Sequence, residues 1–132
     1  MDYTHPKRKT KVVFVQLGSP SEPTTKALRK YLRKFLGDPR VVDINPWLWK
    51  IILNFFVLPF RPKKSAKLYA RIWDGKSFPL ITNTRDFTNN VREELKKIDP
   101  NGRVEVNHAF LLSSPYVNEV YDSWENDLKK GI

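Results

Sequence analysis

The run KVVFVQL, residues 11–17, together with the loop and helix pattern directly after it, constrains this chain more than any other stretch. Its β-branched residues show no polar alternation, so it reads as a strand buried on both faces, the usual first strand of a parallel α/β sheet. GSPSEPTT comes next, a loop of Gly, Pro, Ser and Thr. Beyond it Leu28, Tyr31, Leu32, Phe35 and Leu36 repeat at helical spacing. Thr24 or Thr25 is placed as the N-cap and Gly37 as a left-handed stop. Strand, glycine loop and capped helix form a βα unit, which commits the chain to the α/β class.

A second constraint is PWLWKIILNFFVLPFRPKK, residues 46–64. Asn45 is placed to cap a helix there, Pro46 takes its first position and Pro59 ends it. Ten of the twelve residues from Trp47 to Leu58 are large and apolar, more than one helix face needs, and Arg61, Lys63 and Lys64 follow at once. A further helix is predicted from Pro62 to Trp73, with Ala66, Tyr69, Ala70 and Trp73 inward. SFPLI leads into a fourth, with Leu80, Thr84, Phe87, Val91, Leu95 and Ile98 along one stripe. DPNG is a turn, and RVEVNHAF, residues 103–110, is a second strand. The last helix carries Val117, Val120, Tyr121, Trp124 and Leu128, with Ser113 or Ser114 as cap. Two strands make a narrow parallel sheet, so either a partner completes it or helices shield its edge. The partner is the favoured expectation.

Charge is distributed unevenly. Residues 1–76 hold 17 Lys and Arg against 5 Asp and Glu, which is +12, and residues 77–132 hold 7 against 9, which is −2. Basic charge beside an apolar run suits an anionic surface or ligand, although a merely solvated basic face would look the same. With no cysteine there is no disulfide framework and no thiolate metal site. The opening MDYTHPKRKT has no apolar core of a signal peptide and is expected to be a flexible basic tail over residues 1–10. The run 47–58 is far short of the roughly 20 residues that span a bilayer. A cytoplasmic protein able to touch a membrane is the expectation. No nucleic-acid motif supports the +10 net charge as a nucleic-acid footprint.

Several separate motifs, in order, resemble the ferrochelatases, which insert ferrous iron into protoporphyrin to make haem. They are VQLGSP at 15–20, YLRKFLGDPRVV at 31–42, LPFRPKKSAKLYARIW at 58–73, FPLITNT at 78–84, VEV at 104–106 and Pro115 opening the last helix. The resemblance implies a Rossmann-like, three-layer α/β half-domain over residues 11–132, with a short parallel sheet and an apolar lip helix. In the family two such halves enclose a porphyrin cleft. The lip, residues 45–61 here, borders it and can rest on a membrane, which implies porphyrin contacts from Trp47, Ile51, Phe55 and Phe56. Gly18, Ser19 and Pro20 match the loop near the macrocycle, and Ser77 and Pro79 flank Phe78 where the family lines the pocket floor. An Arg-Tyr pair of the family falls on Leu111 and Leu112. The family's metal-handling His and its partner Glu lie in a C-terminal half to which nothing here corresponds, so no catalytic residue is assigned.

Arg61, Lys63 and Lys64 are candidates for porphyrin propionates or lipid phosphates; with Lys67 they equally suit a solvated face. His108 shares a strand face with Val104, Val106 and Phe110, the pattern of a hydrogen-bonded core histidine, and a haem-ligand role is the alternative. His5 lies in the tail, and no spacing of His, Asp and Glu matches a metal site. The leading expectation is therefore a protein that binds haem or protoporphyrin as ligand, needs no further cofactor, and pairs as a homodimer. Two rivals remain open. One is an active chelatase completed by a second copy or a separate C-terminal partner. The other is a membrane-peripheral or structural protein without tetrapyrrole binding.

Overall fold

The computed structural model describes residues 9–130. Their elements run β1 (Thr10–Gln16), α1 (Thr25–Leu36), α2 (Pro46–Ile52), a π-helical turn (Leu53–Val57), α3 (Arg61–Ala70), α4 (Pro79–Ile98), β2 (Val104–Phe110) and α5 (Val117–Lys129). The architecture is mixed α/β, with a two-stranded parallel sheet and five α-helices. The tail expected over 1–10 falls outside the described residues as far as residue 8, and His5 with it; Thr10 already belongs to β1. The chain forms two compact units, one reaching to Gln16 and resuming at Asn83, the other Leu17–Thr82.

In the first unit β1 and β2 pair from Thr10 opposite Val104 to Gln16 opposite Phe110. The expected burial of β1 on both faces does not occur. None of its residues is fully buried and Val15 is exposed, because α5 packs on β2 and, among the described residues, no helix covers β1 to the same degree. Val106, Ala109 and Phe110 of β2 are buried instead. The Phe14 and Phe87 rings meet edge to face at 5.0 Å, a favoured aromatic geometry. Arg92 of α4 is a tie that sequence reading missed. Its Nε donates to the Val106 carbonyl (2.7 Å), its Nη2 to Asn107 Oδ1 (2.8 Å) and its Nη1 to Asn89 Oδ1 (2.9 Å). Lys11 binds Glu105 at 3.0 Å and lies 5.3 Å from the centre of the Trp124 ring, joining the sheet to α5. The cap of α5 is Tyr116, not a serine. Glu119 reaches back to accept from the Tyr116 amide (2.8 Å) and from Ser114 Oγ (2.9 Å).

The second unit is built on aromatic packing. Tyr31 and Tyr69 meet at 6.4 Å, Tyr69 and Phe78 at 5.4 Å, and Phe78 and Trp73 at 4.7 Å. Burial, with Tyr69 beside it, pushes the Tyr31 phenol up to about 12. Thr24 caps α1 by accepting from the Ala27 amide (3.2 Å). Gly37 is not left-handed, its φ and ψ being −80° and −10°. A Cβ there would lie 2.5 Å from the Arg33 carbonyl oxygen, so the site excludes a side chain by close approach. The helix expected from Pro46 to Pro59 widens into the π-helical turn at Leu53. Asn54 Nδ2 donates to the Lys50 carbonyl (2.8 Å), the acceptor that α-helical pairing assigns to the Asn54 backbone amide. α3 starts at Arg61 and ends at Ala70, short of the expected Trp73.

Candidate functional site

The segment 46–57 puts the predicted lip residues on one continuous helical stretch. Asn45 Oδ1 accepts from the Trp47 amide (3.0 Å) and starts it. Leu53 and Leu58 are buried and anchor it, and the Leu58 carbonyl accepts from Arg29 Nε (3.3 Å). The Trp49 indole donates to the Leu36 carbonyl (2.6 Å). These anchors turn the remaining aromatics outward. Trp47 is 75% exposed, Phe55 69% and Phe56 67%, while Ile51 is half-buried. Single exposed apolar residues are ordinary, but three exposed aromatics within ten residues are not, which makes them the candidate contact surface of the segment. Arg61, Lys63 and Lys64 open the next helix and are all exposed. Leu17–Thr82 as a whole carries 13 Lys and Arg against 4 Asp and Glu, +9, so the surroundings of the patch attract anions.

Gly18, Ser19 and Pro20 are buried, with Gly18 at φ 101°, a backbone state that other residues rarely adopt. Ser77 sits in a turn made by Asp74, whose Oδ1 accepts from the Lys76 (2.8 Å) and Ser77 (2.6 Å) amides. Those bonds, the one from Ser77 first, hold the Asp74 carboxyl below the usual carboxylate range. Pro79 starts α4 and is exposed, whereas Phe78 between them is core. Leu111 is exposed and Leu112 half-buried. They and His108 belong to the first unit, and the other candidates to the second.

His108 departs from a hydrogen-bonded core residue. Its Nδ1 is buried without a partner among the described residues, and its ring packs edge-on against Phe110 at 5.6 Å. Burial first, then Arg92 and Arg85, lower its pKa below the ordinary 6.5. The folded state resists the proton that the unfolded chain accepts near pH 6.5. Stability is therefore undiminished above that pH and falls as pH drops towards the lower folded pKa. In urea titrations at pH 7.5 and 5.5, His108→Leu should lose less stability than wild type between the two values. Identical losses would remove His108 as the acid-sensitive group.

A cavity of about 470 Å³, which sequence reading did not find, lies against the inner side of the same segment. Pro39, Val42, Ile44, Trp49 and Leu53 form most of its apolar wall, and none of the expected porphyrin contacts lines it. Its only signal in the sequence was Val42 and Ile44, apolar residues in a stretch of loop. Among the described residues no three of His, Cys, Asp and Glu form a metal-binding group, and no helix is long and apolar enough to cross a membrane.

Fold and surface together define an α/β chain with a parallel sheet whose helical unit offers aromatics beside a basic helix. The sequence profile of the ferrochelatase family matches residues 9–132. The ferrochelatase of Psychrobacter arcticus is 44% identical over 118 residues, covering 88% of this chain and 34% of its own length. That of Idiomarina loihiensis is 39% identical over 121 residues, 92% of this chain and 32% of its own. The coproporphyrin III ferrochelatase of Enterococcus faecalis is 40% identical over 116 residues, 88% and 35%. The chain belongs to the ferrochelatase family, and it spans about a third of the length of these curated relatives.

Proposed function

We propose that this chain binds a tetrapyrrole, haem or protoporphyrin, and supplies the lip side of a haem-biosynthetic chelatase cleft. The observation that carries this reading is the outward set Trp47, Phe55 and Phe56, held by buried anchors in a family whose enzymes are named for this ligand class. A macrocycle is a flat apolar disc with carboxylates on one edge. Aromatic side chains cover the disc, and Arg61, Lys63 and Lys64 answer the carboxylates. In the cytoplasm the same basic helix can meet the phosphates of an anionic membrane. The facing wall of the cleft comes from a second copy of this chain or from further ferrochelatase polypeptide.

In this reading the chain binds but does not metalate by itself. Ferrous insertion needs a base for the pyrrole protons and groups to deliver the metal, and the residues of the patch are aromatic, aliphatic or cationic. Titration with haem, followed by the Soret band and tryptophan fluorescence, should give saturable binding at micromolar concentration. No saturable change sinks the proposal. Metalation of protoporphyrin by the purified chain above a heat-killed control would replace it with the active-chelatase reading.

A further inference from the structure

The cavity behind α2 plays no part in the tetrapyrrole reading. Its volume of about 470 Å³ lies within the roughly 300–1,000 Å³ of small-molecule sites. One wall comes from the loop after α1, through Pro39, Val42 and Ile44, and the other from Trp49 and Leu53. The bond from the Trp49 indole to the Leu36 carbonyl keeps that ring from swinging in to close the space. Arg33 and Lys50 also line it. No Asp or Glu does, and the carboxylate of Asp38 beside Gly37 is taken by Arg40 at 2.9 Å. Neither the Arg33 nor the Lys50 side chain has a hydrogen-bond or ion-pair partner among the described residues. Two unanswered cations beside an apolar hollow favour an occupant with a hydrocarbon body and an anionic head.

We infer that this cavity binds a medium-chain fatty acid, its chain between Val42, Ile44, Trp49 and Leu53 and its carboxylate at Arg33 and Lys50. The hydrocarbon supplies affinity and the cations select the head group. Since the cavity shares no residue with the outward lip set, haem binding can fail while this site stands.

The test uses dodecanoate below its micelle concentration, read by calorimetry and tryptophan fluorescence. Saturable binding of one molecule per chain is expected, with decanoate about fifteenfold weaker for its two missing methylenes. Arg33→Gln with Lys50→Gln should weaken dodecanoate at least tenfold and leave neutral dodecanol unchanged. Val42→Trp should abolish both, with an unaltered circular dichroism spectrum. Should Val42→Trp fail to fold, the exposed Arg33 and Lys50 pair decides alone. Absence of saturable binding overturns the site. So does loss of dodecanoate binding in Trp47→Ser with Phe55→Ser, which would place the ligand on the outer surface.

Discussion

The double variant Trp47→Ser, Phe55→Ser should bind haem about ten- to a hundredfold more weakly than wild type and should unfold at the same urea concentration. Burying one large aromatic completely is worth about 1.5–3 kcal/mol. A side chain covered on one face by a macrocycle gains about half of that, so two contribute about 1.5–3 kcal/mol, or about one to two decades in Kd. The fold is indifferent because both side chains already stand in solvent and the segment is held by Leu53, Leu58 and the Trp49 indole. Surface changes of this kind shift stability by only about 0.5 kcal/mol. Equal haem affinity in the variant would move the tetrapyrrole elsewhere on the chain. Loss of folding would make these aromatics core residues.

Phe78→Ala has the largest expected effect on stability, a loss of about 3–5 kcal/mol. Phe78 is 2% exposed and stands at the crossing of contacts from Tyr69 and Trp73. Removing the ring opens a hole that the helix after it and the turn before it cannot both close. Set against a typical total of about 5–15 kcal/mol, the variant is marginal or unfolded at 37 °C. Phe60→Ala is the matched control, since that ring is exposed. Urea midpoints for the two measure the contrast, and a cost below about 1 kcal/mol at Phe78 would show that the aromatic cluster is not the core of its unit.

Phe78 also shows where sequence reading stops. The motif around it was legible, and its neighbours Ser77 and Pro79 matched a pocket floor by resemblance. Nothing in SFPLI says which of the three points inward; that depends on the Asp74 turn, which takes the Lys76 and Ser77 amides and fixes the approach to α4. Gly37 is a similar case. Its place after α1 was readable, but the reason for glycine is the nearby Arg33 carbonyl and not a positive φ. The exposure of Trp47, Phe55 and Phe56 was the most legible feature, because ten apolar residues in twelve exceed what one side of a helix can bury.

By itself the sequence determined the α/β class, the order of elements, a threonine cap at Thr24 or Thr25 and the cap at Asn45, the excess of basic charge around the apolar run and the family likeness. These are properties of near neighbours along the chain, where spacing and side-chain type suffice. Tertiary structure alone decided which residues of the segment 46–57 anchor and which face out, the unpartnered Nδ1 of His108 and the cavity under Trp49. Each depends on atoms brought together from distant positions: Leu36 with Trp49, Arg29 with Leu58, Arg92 with Val106. Periodicity along a chain carries no record of such meetings, so only packing could reveal them.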